Sequence, residues 1–446
     1  MSIHARAQAI AAALATALQE GRRSWQGLSR AQRATTVVLA TMIVAGVVLR
    51  VRGIAFPPRF TFDEHHFVPN ARRYLLGEAD DNDHPPLGKL LIAVGILLFG
   101  DNPLGWRAAS LIFGLQSLVI AAALARALFA NPRAGWFAAA FFAGDGFFLA
   151  YSRTALLDGG LTCLILWSLL AAVTAETWRG VLACAVLVGL AASVKWSGGM
   201  SVVPAVAAIL LLRRAPRWSL LLFAAAPILH LSLWLATFPL SGRPADPRAL
   251  LTLMHELLRR HIEIGHSQNP LASPWYTWPV LYHPIVVKLA DHGVGRRYAS
   301  SVGNPLLFFS STLVILTTLQ PAVVAVVRAR KAGLRVSTIL PGYLSFLPPV
   351  VRAALLLTVG WLALLAPWMV GRGSYTFMYH YLPSYGFALT LVAGAAAHLE
   401  QRVPRGVSLY VSLAIAIGIF FAPVWAELPL AESAANHRLM FMPWQP

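Results

Sequence analysis

The chain has 446 residues, of which 57% are hydrophobic and only 12% are charged. Its mean hydropathy of +0.64 excludes a soluble domain, whose surface must be largely polar, and indicates a protein that crosses a membrane many times. The formal net charge is +18. Nucleic acid is nevertheless not predicted as a partner, because no basic patch is interleaved with exposed aromatic residues in a soluble unit.

The first 34 residues are alanine-rich and lack the long apolar core and cleavage site of a signal peptide. They are predicted to form a cytoplasmic tail on the membrane surface. Windows apolar enough to cross about 30 Å of hydrocarbon follow, and about eleven spans are predicted. They fall near 35–51, 105–125, 134–150, 156–174, 180–194, 197–212, 218–238, 305–327, 352–370, 376–397 and 406–424.

These windows predict an all-α polytopic membrane domain over residues 35–425, with outer loops at 52–104 and 239–304 and an outer tail at 426–446. The orientation follows from the basic residues of the short loops, which cluster on one side as cytoplasmic loops do. With the N-terminus inside, the inner groups are Arg22, Arg23, Arg30, Arg33, Arg126, Arg133, Arg179, Arg213, Arg214, Arg217, the stretch 328–335, Arg402 and Arg405.

The first outer loop contains an unusual concentration of acidic residues for a chain with 18 acids in all. Asp63 and Glu64 are adjacent, and Asp80, Asp81 and Asp83 follow close behind. Adjacent carboxylates are most often solvated loop residues, so the pair alone is ambiguous. The later acids are predicted to keep the loop solvated or to receive an acceptor.

Other charged residues at span ends also have two interpretations. Arg107 and Lys195 fit the common role of a membrane anchor whose charge reaches the interface. Asp158 lies about a turn inside an apolar segment, where an unpaired carboxylate is costly, and Arg153 is its predicted local partner. The histidines lack the close spacing of a zinc site, so no metal is predicted.

Six segments in order resemble the signature segments of the protein O-mannosyltransferases. They are FDEHHF, HPPLGKLLIAVG, SRTALLD, VKWSGG, SPWYTWP with VGNPLLF, and FMYHYLP. The resemblance implies the C-type glycosyltransferase fold and a polyprenyl-phosphate mannose donor. It also implies a polypeptide acceptor with Ser or Thr, with transfer during export as one option. The loop at 239–304 is too short for the β-trefoil domain of eukaryotic members, which indicates the bacterial branch and the bacterial inner membrane. Ser267 to Pro270 depart from the bacterial pattern.

The resemblance also assigns roles on the outer side of the membrane. Asp63 takes the catalytic position, as the general base for the acceptor hydroxyl in an inverting transfer, with Glu64 beside it. The candidates for the donor phosphate are Arg107, His380, Tyr381 and Lys195, the last also a candidate brace. The residues predicted to shape the site are His66, His84, Arg153, Asp158 and Trp278. No general acid is strictly required, because the leaving group is already a phosphate anion that cations stabilise. No cofactor is predicted to be required, and the sequence does not indicate a divalent metal.

Two other classes of protein remain open from the sequence. A C-type glycosyltransferase acting on a lipid or a cell-wall glycan would share the fold and the acidic first loop. A secondary transporter would place its charges near the bilayer midplane, whereas these charges lie at one outer edge.

Overall fold

The computed structural model describes residues 25–80, 84–212, 218–264, 269–292, 295–331, 347–370 and 376–439. Its first eight helices are α1 (Arg30–Val51), α2 (Glu64–Leu76), α3 (Pro86–Phe99), α4 (Pro103–Phe129), α5 (Pro132–Ala143), α6 (Gly146–Tyr151), α7 (Leu157–Thr174) and α8 (Trp178–Val194). The others are α9 (Val202–Leu211), α10 (Leu220–Thr237), α11 (Pro247–Ile264), α12 (Pro305–Lys331), α13 (Pro349–Val370), α14 (Leu382–Glu400), α15 (Pro404–Trp425) and α16 (Glu432–Arg438). Short 3-10 turns cover Trp196–Ser201, Pro239–Ser241, Trp275–Val280 and Met378–Tyr381.

The all-α membrane architecture is confirmed. Within the described ranges, seven helical segments are long and apolar enough to cross a membrane. They are Arg30–Val51, Pro103–Phe129, Leu157–Thr174, Leu220–Ser241, Pro349–Met369, Met378–Glu400 and Pro404–Trp425. Shorter apolar helices cover Pro86–Phe99, Trp178–Val194, Trp196–Leu211 and Pro305–Pro321. Each of the eleven predicted windows contains helix, while the number of spans stays a prediction.

One predicted span, 134–150, is divided into two helices by a capped break. The carboxylate of Asp145 accepts hydrogen bonds from the backbone N–H groups of Phe147 (2.9 Å) and Phe148 (3.3 Å), which starts α6. An N-cap of this kind satisfies donors that have no partner inside the helix. The break therefore has a local chemical cause that apolar periodicity does not reveal.

Small residues allow the helices to pack closely. A Cβ atom on Gly46 of α1 would come within 2.5 Å of the carbonyl oxygen of Ala143 in α5, so only glycine permits this contact. Such contacts are typical of helix packing in membranes, where apolar burial does not drive association as it does in water.

One end of the bundle is held by a polar contact among three distant segments. Arg133 at the start of α5 pairs with Glu400 at the end of α14, with Nη2 and Oε1 2.5 Å apart, and its Nη1 donates to the Thr36 hydroxyl at 2.8 Å. The described arginines next to these two residues in sequence, Arg126, Arg402 and Arg405, lie at this end. The acidic first loop lies at the opposite end, between α1 and α4.

The loop predicted at 239–304 is partly structured. Strands β1 (Val286–His292) and β2 (Gly295–Ser300) form one antiparallel hairpin, with Val286 opposite Ser300 and an irregularity before Lys288. Helix α11 is amphipathic, and it packs Leu250 and Leu257 against the apolar residues Trp234 and Phe238. Ser267 and Gln268 lie outside the described residues.

Candidate active site

Asp63 lies where the loop after α1 leads into α2. It is the N-cap residue of that helix, but its side chain makes no capping hydrogen bond, and Phe62 before it has a left-handed backbone (φ +47°). Non-glycine residues rarely adopt this conformation unless their surroundings hold them in it. Asp63 itself has a helical backbone (φ −69°, ψ −1°) and not the extended one of a capping residue, and its carboxylate is not bonded to the N–H groups of α2.

Burial raises the pKa of the half-buried Asp63 carboxyl above its usual value, and the nearby charge of Asp158 acts in the same direction. Lys195 and His66 lie close enough to lower that pKa in part. A carboxylate with a raised pKa accepts a proton more readily than an ordinary aspartate, so it is better suited to act as a general base.

A buried ion pair lies next to Asp63. The Nζ atom of Lys195 is 3.0 Å from Oδ1 and 2.9 Å from Oδ2 of Asp158. Lys195 follows α8 directly and lies 5.2 Å from the ring centre of Tyr379. The 3-10 turn after it brings Gly198 so close to the carbonyl of Ala191 that a Cβ atom would be 2.3 Å away. The glycine-rich VKWSGG segment therefore makes the sharp turn that presents Lys195.

Two histidines predicted to belong to the site, His84 and His380, lie near Lys195. Burial lowers the pKa of His84 well below its ordinary value, and the charges of Lys195, His261, Lys89 and His380 lower it further. His84 is therefore neutral at physiological pH.

His380 stacks on Trp368 with ring centres 3.7 Å apart, and its Nδ1 accepts the N–H of Phe377 at 3.2 Å. With Asp158 it lines a cavity of about 10 Å³, room for about one water. Trp278, also a predicted site residue, is buried 6.2 Å from His380 and donates its Nε1–H to the hydroxyl of Ser273 at 2.9 Å.

Glu64 and Arg107 are both fully buried, and they are bonded to each other. Arg107 Nε and Nη2 donate to the two carboxylate oxygens of Glu64 at 2.7 and 2.9 Å. Glu64 also accepts from the backbone N–H and hydroxyl of Thr61 and from the N–H of Ala155. A carboxylate with five donors is not a free base, so these contacts favour a supporting role for Glu64 over the predicted catalytic one.

The remaining N–H groups of Arg107 donate hydrogen bonds to backbone carbonyls of the loop. Nη1 donates to the carbonyls of Ile54, Phe56 and Pro57 at 3.0, 3.0 and 3.1 Å, and Nη2 donates to that of Arg59 at 3.2 Å. Every guanidinium nitrogen thus has a protein partner. That Arg107 contacts the donor phosphate stays a prediction, and this geometry favours a structural role.

The partners that the fold supplies correct the predicted pairing of Asp158. Asp158 pairs with Lys195, not with Arg153, whose Nη2 lies 3.5 Å from Glu427 Oε2. Tyr381 is fully buried, and its hydroxyl accepts the Nε1–H of Trp361 at 2.9 Å. Its contact with the donor phosphate stays a prediction, which this buried position does not favour.

Asp80, the described member of the later acids in this loop, is less solvated than predicted. Asp80 pairs with the buried Lys89 and accepts the hydroxyl of Tyr74 at 3.0 Å. Asp81 and Asp83 lie outside the described residues. His66 is exposed on α2, beside Asp63.

Sequence reasoning missed a tyrosine that belongs to this cluster. The hydroxyl of Tyr151 is buried close to both Asp63 and Asp158, and among the described residues it has no hydrogen-bond partner. A buried donor without a partner is costly unless a ligand supplies one. Its position at the start of YSRTALLD, beside the buried Asp158, was the only signal in the sequence.

The site therefore combines one available carboxylate, one buried cation and donors that can hold a ligand. A carboxylate can take a proton from a hydroxyl, and a cation in a low-dielectric setting stabilises a phosphate that leaves. No three His, Cys, Asp or Glu side chains come together as a metal site in the ranges that the structure describes. The expectation that no cofactor is required stays a prediction.

Known proteins have sequences and folds related to those of this chain. Two family models match: "Dolichyl-phosphate-mannose-protein mannosyltransferase" over residues 83–240, and "C-terminal four TMM region of protein-O-mannosyltransferase" over residues 248–444. A polyprenol-phosphate-mannose–protein mannosyltransferase of Mycolicibacterium smegmatis is 24% identical, over 86% of this chain and 87% of the relative.

Two solved structures have a similar fold. The Saccharomyces cerevisiae protein O-mannosyltransferase Pmt1–Pmt2 complex bound to the sugar donor superposes with a TM-score of 0.72 at 13% identity, over 94% of this chain and 93% of that one. Apo ArnT from Cupriavidus metallidurans superposes with a TM-score of 0.57 at 14% identity, over 92% and 80%.

The helical bundle, with its charged site at one end, defines a membrane glycosyltransferase of the C-type fold. The two family models together match most of its length. The chain belongs to the protein O-mannosyltransferase family, in the bacterial branch.

Proposed function

We propose that the protein transfers mannose from a polyprenyl-phosphate donor to Ser or Thr hydroxyls of polypeptides, with Asp63 as the general base. The observation that carries the proposal is the half-buried Asp63 carboxylate with a raised pKa, facing the Lys195–Asp158 pair at the end of the bundle opposite the basic loops. The names of the bacterial relatives supply the sugar and the class of acceptor.

The proposed reaction is a single displacement with inversion at the anomeric carbon. Asp63 takes the proton of the acceptor hydroxyl as its oxygen forms a bond to C1 of mannose. The bond between C1 and the phosphate oxygen breaks, and polyprenyl phosphate leaves with the electron pair. No general acid is needed, because the phosphate is a stable anion.

Lys195 is the proposed cation for the departing phosphate. Its ammonium is buried with Asp158, and it lies near His84, His380 and Asp63. Charge that develops next to a preorganised cation away from water is stabilised more than in solution. Tyr151 can donate its unpartnered hydroxyl to the same donor. His380 remains a proposed neighbour of the phosphate.

Incubation of the purified protein with radiolabelled polyprenyl-phosphate mannose and a Ser/Thr peptide is expected to label the peptide. A matched peptide with Ala at each Ser and Thr is the control, because it lacks the nucleophile. The labelling is expected to survive a chelator, since the proposed chemistry uses a protein cation. Label in lipid or glycan in place of the peptide would overturn the acceptor assignment, and uptake into vesicles without transfer would indicate a transporter.

The proposed location is the bacterial inner membrane, with the N-terminus in the cytoplasm and Asp63 on the outer side. The Arg133–Glu400 contact and the nearby described arginines Arg126, Arg402 and Arg405 lie at the end of the bundle opposite Asp63. Because short cytoplasmic loops are the basic ones, this asymmetry supports the orientation.

A cysteine placed at Glu78 is expected to react with an impermeant maleimide in intact spheroplasts, and one placed at Gln401 only after lysis. Both positions are exposed, whereas the native Cys163 and Cys184 are buried, so background labelling is low. Labelling at Gln401 in intact cells with protection at Glu78 would reverse the orientation.

A further inference from the structure

The chain between α1 and Asp63 is held through its backbone carbonyls by buried cations. Arg107 holds four of these carbonyls, as described above. Arg153 adds that of Gly53 at 3.4 Å, and it also donates to the carbonyl of Leu49 within the last turn of α1. Hydrogen bonds from cations on other elements therefore help to fix the path of the segment before Asp63.

A third cation reaches the same segment from the outer hairpin. Lys288 of β1 is 2% exposed, and its Nζ donates to the carbonyl of Arg153 at 2.6 Å and to that of Phe56 at 3.3 Å. The carbonyl of Phe56 is also held by Arg107. Lys288 therefore links two segments of the backbone, one that precedes Asp63 and one that precedes Asp158.

Glu427 supplies the counter-charge from the far end of the sequence. It is 4% exposed just after α15, with Oε1 3.0 Å from Lys288 Nζ and Oε2 3.5 Å from Arg153 Nη2. Its backbone is left-handed (φ +58°), and its N–H donates to the carbonyl of Tyr298 in β2 at 3.2 Å. A strained residue of this kind persists only where its surroundings hold it.

We propose that Lys288 and Glu427 are positioning residues for the transfer reaction, which lock the segment before Asp63 and so hold its carboxylate at the substrate. The inference rests on the proposed role of Asp63. Neither residue lines the cluster around Lys195, so each acts through the backbone. Misplacement of a reacting group by about 1 Å can cost about 100-fold in rate, which is the scale on which such a lock matters.

The lock should depend on the protonation of Lys288. Burial lowers the pKa of Lys288 to about 8; Glu427 and Glu64 raise it, whereas Arg107 and Arg153 lower it further. Above that pH Lys288 becomes neutral, and Glu427 loses half of its counter-charge. Because the folded-state pKa lies below that of a free lysine, this group makes the folded protein more stable, not less, as the pH rises from about 8 toward 10.5. A loss of activity in this range would therefore not be a loss of folding through this group.

The first test compares Lys288→Arg and Lys288→Met with the parent protein between pH 6.5 and 9.5. Lys288→Met is expected to lower kcat by about 10- to 100-fold with little change in the donor KM, because the base is misplaced while donor contacts remain. Lys288→Arg keeps the charge at every pH used, so its activity should persist where that of the parent protein falls. Arg259→Met, which removes an exposed cation of α11, is the matched control and should leave the profile unchanged.

Glu427→Gln gives a second test that keeps Lys288 in place. Glu427 raises the pKa of Lys288, so its neutralisation should move the alkaline loss of activity to lower pH. Identical pH profiles for the parent protein, Lys288→Arg and Glu427→Gln, each at normal thermal stability, would overturn the proposal.

Hydrogen exchange of peptides covering 53–63 supplies a readout that needs no mannosyl transfer. At pH 9 this segment should exchange faster in the parent protein than in Lys288→Arg, and at pH 6.5 the two should agree. Equal protection at both pH values would also overturn the proposal. An absence of peptide mannosylation by the parent protein would instead count against the proposed function alone.

Discussion

Asp63→Asn is expected to lower mannosyl transfer by about 10²- to 10⁴-fold, the usual cost of losing a general base. The two side chains are nearly isosteric, and the Asp63 side chain makes no capping hydrogen bond whose loss could unfold α2. Donor affinity and thermal stability should therefore stay close to those of the parent protein. The rate is measured at saturating donor with the Ser/Thr peptide.

Glu78→Gln is the matched control, because it neutralises an exposed acid of the same outer loop. It should transfer mannose at the normal rate. Near-normal turnover by a folded Asp63→Asn protein would remove Asp63 from the mechanism, and equal losses in the two variants would point to the charge of the loop as a whole.

The loss of activity at low pH should report the protonation of the Asp63 carboxylate. Burial raises the pKa of Asp63, so activity should be lost on acidification at a pH above that expected for an ordinary aspartate. A raised carboxyl pKa means that the folded protein holds this proton more tightly than the unfolded chain. The group therefore stabilises the fold at low pH, and acid loss of activity need not involve unfolding through Asp63.

Much of the fold followed from the sequence because a bilayer imposes a simple rule. A span needs an unbroken apolar helix, and each of the eleven predicted windows contains helix in the structure. The break at Asp145 escaped prediction because it depends on a side-chain cap and on the N–H of Asn304, 159 residues away. The hydropathy of a window is an average over the segment, so it does not reveal single contacts of this kind.

The site was less predictable because the tertiary structure determines which partners the buried charged side chains have. Asp158 has Arg153 five positions away in sequence but pairs with Lys195 across the helices. Arg107 stands at a span end, where a phosphate contact and a structural contact look alike in sequence, and only its bonds to Glu64 and to four carbonyls separate them. Glu427, near the C-terminus, gave no local signal at all.

The Lys195–Asp158 pair carries the second large expected effect. Lys195→Met is expected to lower turnover at saturating donor by about 10²- to 10³-fold, the scale seen when one donor to a developing anion is removed. The same change also leaves Asp158 buried without its partner. Removing one member of a buried pair typically costs about 3–5 kcal/mol of stability, so a loss of activity by this variant alone is ambiguous.

The double variant Lys195→Met with Asp158→Asn separates the two explanations. It removes the uncompensated charge, so thermal stability should return toward that of the parent protein while turnover stays low, because no cation faces the departing phosphate. Asp158→Asn alone keeps that cation and should lose less turnover than either lysine variant. Since Asp158 also raises the pKa of Asp63, its neutralisation should move the acid limb of activity to lower pH. If the double variant recovered turnover together with stability, the role of Lys195 would be to neutralise Asp158. The charge that stabilises the departing phosphate would then have to come from another residue at this end of the bundle.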